Sequence, residues 1–95
     1  MGNISVIISV FNEEKTITEV ITAVAVSNIF SEIIVVNDGS TDNTKNAIGE
    51  CKNYFDFIDI HLPVNHGKGF AMALAIEKAS SEILVFVDAD LSSLN

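Results

Sequence analysis

Four short apolar runs rich in β-branched residues alternate along the chain with three segments of helical periodicity. We interpret the runs as strands, because near-continuous Val and Ile are typical of strands covered on both faces of a parallel sheet. Parallel neighbours need a crossover connection, and each intervening segment is long enough to supply one as a helix. The predicted strands cover residues 4–10, 32–37, 55–62 and 82–87.

The segments between the strands carry apolar residues at helical spacing. The first predicted helix is capped by Asn12 and runs to about Val26, and the second is capped by Thr41 or Asp42 and runs to about Tyr54. The third follows a loop at residues 65–69, and its many alanines predict close packing on the sheet. The β-α-β-α-β-α-β order predicts an α/β fold with a doubly wound, mainly parallel sheet, in a single domain at residues 1–95.

Residues with binding chemistry follow all four predicted strands. Ligands of such sheets bind beyond the carboxyl ends of the strands. We therefore expect one binding site that collects side chains from four separate parts of the chain. The residues concerned are Phe11, Asn12 and Glu13, then Asp38, then residues 65–68, and finally Asp88 and Asp90.

Asp88 and Asp90 form an Asp-x-Asp pair at the end of the fourth strand. Two such carboxylates can share a Mg²⁺ or Mn²⁺ ion that keeps its other positions for water or phosphate oxygens, although the same pair also occurs in ordinary solvated turns. The formal net charge is −8, and all five basic residues are lysines. This balance argues against nucleic acid as a partner. A phosphate-bearing ligand would meet an acidic rim with only Lys68 nearby, so a bound cation is the expected compensation.

Several other side chains allow two interpretations from sequence alone. Asp38 could accept hydrogen bonds from a base or ribose, or could serve only its own turn. Phe11 could flank a nucleobase or pack in the core, and Glu13 could reach a ribose or simply favour a helix start. Cys51, on the apolar face of the second helix, is predicted to be buried and inert, and His61 to be an ordinary strand residue.

Four stretches at the predicted strand ends carry a family resemblance when taken in order. They are residues 6–14 (VIISVFNEE), 33–44 (IIVVNDGSTDNT), 65–69 (NHGKG) and 86–90 (FVDAD). Together they resemble the N-terminal, nucleotide-sugar-binding half of family 2 glycosyltransferases of the GT-A fold. The similarity is greatest to dolichol-phosphate-mannose-synthase-like and related polyprenyl-phosphate or cell-wall enzymes.

The resemblance implies roles for particular residues. Ser9, Phe11, Glu13 and Asp38 would bind the nucleoside of a UDP- or GDP-sugar. The Asp-x-Asp stretch would bind ribose and the metal–diphosphate group through Asp88, Ala89 and Asp90, with Mg²⁺ or Mn²⁺ as the metal. Lys68 would line the same cleft.

The chain departs from the family pattern at four positions. Ser9 stands where the family usually has proline, Phe11 replaces the commoner tyrosine, and Asn37 replaces a frequent aspartate. Ser92 stands where dolichol-type members often carry a glutamine that binds the metal.

The resemblance further implies an inverting hexosyltransferase whose acceptor half lies outside residues 1–95. That half would carry the general base, so we name no catalytic residue in this chain and expect little transfer by it alone. The alternative is a non-catalytic nucleotide-binding or assembly module. A receiver-like Mg²⁺-binding signalling domain is disfavoured, since it needs a fifth strand with a lysine.

The surroundings of the protein can also be predicted from sequence. A single cysteine and the lack of a signal peptide or membrane span predict a cytoplasmic location, at the cytoplasmic membrane face if a longer protein is anchored there. The fourth strand is the most apolar, as in a central strand, yet no later strand in this chain could pair with it. We therefore expect a homo-oligomer in which another copy covers that edge.

Overall fold

A computed structural model describes residues 3–90 as a four-stranded sheet with three helices. The elements are β1 (Ile4–Val10), α1 (Ile17–Ser27), β2 (Glu32–Asn37), α2 (Thr44–Cys51), β3 (Ile58–His61), α3 (Lys68–Lys78) and β4 (Ile83–Asp88). The sheet order is β3-β2-β1-β4, and all three strand pairs are parallel. The predicted doubly wound α/β fold is therefore confirmed.

The helices lie on both faces of the sheet, so the central strands are buried on both sides. Alternate residues of β1 point to opposite faces. Val6, Ile8 and Val10 pack in one cluster with residues of α1 and α2, and Ile7 packs in a second cluster with the alanines of α3. Ala71 and Ala75 are fully buried, as the predicted close helix–sheet packing requires.

The helix starts differ from the predictions. Asn12 does not cap α1, because its backbone is left-handed (φ 52°) and the chain makes a turn before the helix begins at Ile17. In that turn the N–H groups of Thr16 and Ile17 both donate to the Glu13 carbonyl. α2 begins after Asn43 and ends at Cys51, which makes it shorter than predicted.

The two outer strands also refine the predictions. β3 is shorter than the predicted 55–62 and lies at one edge of the sheet, where its partly alternating pattern placed it. β4 is not central among residues 3–90, since it pairs with β1 alone. No helix in this described part of the chain is long and apolar enough to cross a membrane.

Candidate functional site

A cleft of about 400 Å³ lies at the carboxyl ends of the strands. It forms there because the loops after β1, β2 and β3 and the end of β4 all emerge at the same edge of the sheet. Seven of the eight residues proposed from sequence line it; Ala89 does not. The lining residues are Ser9, Val10, Phe11, Glu13, Asp38, Asn65, Gly67, Lys68, Ala71, Asp88 and Asp90.

Asp38 is buried at the floor of this cleft and holds the loop that follows β3. Its carboxylate accepts hydrogen bonds from the backbone N–H groups of His66 (2.9 Å) and Gly67 (3.0 Å) and from the Asn65 amide (3.2 Å). A carboxylate offers about four lone-pair directions. Asp38 therefore has room for one further hydrogen bond at most. Its carboxylate holds residues 65–67 rather than its own turn, and its role toward a base or ribose stays a prediction.

Gly39 lets the loops after β2 and β3 approach each other closely. Its φ is +72°, and a Cβ built there would lie 2.2 Å from the carbonyl carbon of Val64 and 2.3 Å from the nitrogen of Asn65. Real Cβ atoms do not approach other atoms that closely. Only glycine fits at this position, and the contact brings Asp38 within reach of residues 65–67.

The loop after β1 forms another wall of the cleft. The Phe11 side chain is 45% exposed, so it is free of the core packing that was its alternative interpretation. The Glu13 backbone N–H donates to the buried Thr44 hydroxyl (3.0 Å), and the Glu13 carboxylate accepts from Thr16 (3.2 Å). The same Thr16 hydroxyl lies 3.0 Å from the Ala89 carbonyl oxygen and shares its one proton between the two acceptors, which ties this wall to the end of β4.

Lys68 and Asp88 form an ion pair across the mouth of the cleft. The Lys68 ammonium donates to Asp88 Oδ2 at 2.5 Å, and the Asp90 backbone N–H donates to Asp88 Oδ1 at 3.0 Å. The Lys68 contact first, and the Asp90 N–H second, hold the pKa of the Asp88 carboxyl below its usual range. Asp88 is therefore ionised at neutral pH and able to exchange its lysine partner for another cation.

Ala89 is fully buried, and its methyl group belongs to the core cluster beneath α1. Its backbone N–H donates to the Ser9 carbonyl (3.1 Å). Ala89 thus positions the aspartates on either side of it and turns its own side chain away from the cleft.

The carboxylates of the cleft could supply some, but not all, of the oxygen ligands that a hard divalent cation needs. Among residues 3–90 no group of three or more His, Cys, Asp or Glu side chains is gathered for a metal. Asp88 and Asp90 both line the cleft. Two carboxylates with open positions are the arrangement in which Mg²⁺ or Mn²⁺ takes its other ligands from water and substrate phosphates. The donors present therefore fit such an ion when a phosphate ligand accompanies it. Ser92 lies outside the described residues.

Sequence reasoning missed the side chains that hold the loops together. The side-chain Oδ1 of Asn12 accepts from the backbone N–H of Thr41 (2.7 Å), and the backbone N–H of Asn12 donates to the Ser40 hydroxyl oxygen (2.9 Å). Asn65, expected only as part of a loop, binds both the backbone and the side chain of Asp38. The available signal was the density of Asn, Asp, Ser and Thr in these loops, which marks turns but does not show which residues pair.

Sequence comparisons relate nearly all of this chain to known proteins. Residues 5–94 match the family model described as Glycosyl transferase family 2. The poly-beta-1,6-N-acetyl-D-glucosamine synthase of Staphylococcus epidermidis is 39% identical over 88 residues, which cover 92% of this chain and 21% of that protein. The synthase of the same name from Staphylococcus aureus strain COL is 38% identical over 91 residues, covering 95% of this chain and 22% of that protein. The chain thus spans about a fifth of the length of these relatives.

Solved structures share the fold. Glucosyl-3-phosphoglycerate synthase from Mycobacterium tuberculosis, in complex with Mn²⁺, UDP and phosphoglyceric acid, superposes with a TM-score of 0.76 at 32% identity, covering 94% of this chain and 33% of that one. A mannosyltransferase from Pyrobaculum calidifontis, in complex with GDP-Man and Mn²⁺, superposes with a TM-score of 0.86 at 26% identity, covering 94% of this chain and 28% of that one.

Proposed function

The chain belongs to glycosyl transferase family 2, and from that membership we propose that it binds the nucleotide-sugar donor of a sugar-transfer reaction. The observation that carries the proposal is the cleft itself. It gathers Phe11, Glu13, Asp38, Lys68 and the Asp-x-Asp pair from four separate strand ends. Structural neighbours at 32% and 26% identity bind UDP and GDP-Man together with Mn²⁺, and this supports a UDP- or GDP-sugar as the donor.

The nucleoside end of the donor lies at the Phe11 side of the cleft. The exposed Phe11 ring offers a face on which a base can stack. The single hydrogen-bonding direction left on Asp38 can accept from a base N–H or a ribose hydroxyl, and the Glu13 carboxylate can accept another. The wall that carries Phe11 is held to α2 by Thr44, so these groups are positioned before the donor binds.

The diphosphate end of the donor requires compensation of charge. Four carboxylates line the cleft, from Glu13, Asp38, Asp88 and Asp90, against one ammonium, from Lys68. A nucleoside diphosphate would be repelled by this set unless a cation accompanied it. Asp88 and Asp90 would hold a Mg²⁺ or Mn²⁺ ion, which when bound stabilises negative charge on a departing diphosphate. Lys68, released from Asp88, would then reach a phosphate oxygen.

Calorimetric titration tests the proposal. UDP, GDP, UDP-glucose, UDP-N-acetylglucosamine and GDP-mannose are titrated into the protein with and without Mn²⁺. We expect binding of at least one nucleotide only when Mn²⁺ is present. Asp88→Asn should abolish that binding, whereas Asp59→Asn should retain it, because Asp59 lines a different groove on the α2 side. Failure of every nucleotide to bind in a metal-dependent manner would refute the proposal.

We further propose that residues 1–95 form the donor-binding part of a longer inverting transferase. The share of the curated relatives that the chain covers, about a fifth, supports this division. The general base that activates the acceptor would then come from outside these residues. We expect this chain to bind the donor but to transfer no sugar in a radiolabelled sugar-transfer assay. Multiple turnover by this chain alone would contradict the proposal.

Self-association through β4 is part of the same proposal. The described chain leaves one edge of β4 unpaired, and Ile83, Val85 and Phe86 are 48%, 36% and 44% exposed. An open apolar edge of this kind can pair with a second copy. Light scattering at tens of micromolar should therefore show a dimer or larger species, which Val85→Lys disrupts and Val26→Lys on α1 does not. A monodisperse wild-type monomer would contradict it.

A further inference from the structure

The Asn37 side chain, at the end of β2, connects the β2–α2 loop to a histidine on the neighbouring strand. Its Oδ1 accepts from the backbone N–H of Ser40 at 3.2 Å, and its Nδ2 lies 3.1 Å from Nδ1 of His61. Asn37 is 3% exposed, so neither end of its amide has water as a ready substitute partner. The two contacts therefore depend on each other through the orientation of one planar group.

These contacts define the protonation state of the imidazole. The Ser40 N–H can only donate, so Oδ1 of Asn37 must face it and the Asn37 NH₂ group must face His61. Nδ1 of His61 then has to be an acceptor. The remaining ring nitrogen, Nε2, carries the proton and donates to Asp59 Oδ2 at 2.9 Å. The network is fully satisfied only by the neutral Nε2–H tautomer.

Protonation of His61 is incompatible with this set of hydrogen bonds. A proton on Nδ1 would point at the NH₂ group of Asn37, placing two donors against each other. Rotation of the amide by half a turn would give His61 an acceptor, but it would also turn the NH₂ group toward the Ser40 N–H. The rotation therefore relieves the contact with His61 only by removing the Ser40 hydrogen bond from the β2–α2 loop.

The charged groups around His61 come from β3 and α2. Asp59 lies two residues away on the same face of β3 and also pairs with Lys52, just beyond α2, at 2.9 Å. Across an open groove, α2 contributes Lys45 and Glu50. Asp59 favours the imidazolium while Asn37 opposes it.

Ser40 connects this network to the cleft. It follows Asp38 by two residues, and its hydroxyl accepts the backbone N–H of Asn12, which stands between Phe11 and Glu13. We propose that His61 is a proton sensor whose protonation, through Asn37, releases Ser40 and loosens the two loops that form the nucleoside end of the cleft. The effect on ligand affinity rests on the function proposed above, but the sensor itself does not.

Nuclear magnetic resonance tests the sensor without any ligand. Nitrogen–proton correlation spectra of the imidazole identify the tautomer, and a titration from pH 8 to pH 5 follows both the His61 ring and the Ser40 amide. We expect the Nε2–H tautomer at pH 8, and a Ser40 amide shift whose midpoint coincides with that of the His61 ring. A dominant Nδ1–H tautomer, or a Ser40 amide that ignores the His61 titration, would overturn the proposal.

Asn37→Asp is the matched variant. Its carboxylate retains the size of the amide and offers an oxygen to Ser40 and another to His61 at once. Protonation of His61 then requires no rotation, so the ring should stay charged to higher pH than in the wild-type protein, and the Ser40 amide should cease to follow it. Continued coupling of Ser40 to the ring in this variant would contradict the mechanism.

Nucleotide titrations at pH values above and below the His61 midpoint measure the effect on the cleft. We expect affinity for the nucleotide that binds with Mn²⁺ to be weaker by about fivefold below the midpoint, as for the loss of one hydrogen bond. His66→Gln, which removes the second histidine, should leave this difference in place, and Asn37→Asp should remove it. Equal affinity on both sides of the midpoint would overturn the coupling, whereas the absence of any nucleotide binding would refute the proposed function and leave the spectroscopic result standing.

Discussion

Replacement of Gly39 by alanine should be among the most damaging single-methyl additions in the described chain. The new Cβ would lie 2.2 Å from the backbone carbon of Val64, where ordinary contact begins at 3.4 Å, so the two loops would have to separate by about 1 Å. Both neighbours are backbone atoms, which cannot move aside as a flexible side chain can.

Two terms contribute to the cost. An L-residue in the left-handed region costs roughly 1–2 kcal/mol. Overpacking against fixed atoms costs roughly 1–3 kcal/mol. Their sum, about 2–5 kcal/mol, corresponds to a Tm lowered by at least about 8 °C in a domain of this size. Separation of the loops would also stretch the 2.9 Å bond from His66 to Asp38.

Two other glycines provide matched controls in thermal and urea unfolding followed by circular dichroism. Gly67 has a φ of +95°, but no atom lies within 4 Å of the place that an alanine methyl group would take, so Gly67→Ala carries conformational strain alone. Gly49 lies inside α2 with open space around it, and Gly49→Ala should stabilise the protein by about 1 kcal/mol. If Gly39→Ala proves no more destabilising than Gly67→Ala, the steric argument is refuted.

Three further predictions concern single side chains. The backbone N–H of Ser80 is the main cause that holds the pKa of the Glu32 carboxyl below its ordinary value. The stability that Glu32 contributes is therefore present above a glutamate's usual pKa and is lost as the pH falls through the lowered pKa. In urea titrations between pH 6 and pH 3, the Glu32→Gln variant should lose less stability than the wild-type protein. Cys51 is 3% exposed, so its alkylation by iodoacetamide should await unfolding and accelerate across the urea transition; rapid labelling of the native protein would count against that burial. Thr44→Val leaves the Glu13 N–H without its acceptor and should lower the free energy of unfolding by about 1–3 kcal/mol in the same urea titrations, whereas an unchanged midpoint would show that water replaces the hydroxyl.

The predicted fold class and family are both confirmed, because the patterns that indicate them lie within short stretches of sequence. Continuous Val and Ile runs bounded by turn residues located β1 and β2 to the residue. The four motif stretches carried the resemblance to family 2 glycosyltransferases, to which the chain belongs. The start of α1 was wrong, because the prediction gave Asn12 a local capping role whereas its actual partner is Thr41, 29 residues further along the chain.

The prediction for β4 failed for a related reason. Its hydrophobicity is typical of a central strand. Hydrophobicity indicates how much of a strand's surface is apolar and needs to be covered, but it does not indicate which neighbour covers it. Within residues 3–90 the order β3-β2-β1-β4 places it at an edge, with Phe86 44% exposed. The oligomer expected from this edge stays a prediction.

By itself, the sequence determined the alternation of strands and helices, and therefore which polar residues emerge at the carboxyl edge of the sheet. That was enough to collect Phe11, Glu13, Lys68, Asp88 and Asp90 at one cleft, since parallel strands all end on the same side. Only the tertiary structure decided how these groups and their neighbours share their hydrogen bonds. The carboxylate of Asp38 holds the loop after β3, and the amide of Asn37 joins Ser40 to His61. Such pairings join residues far apart in the chain, and strand order, which no local pattern encodes, brings them together.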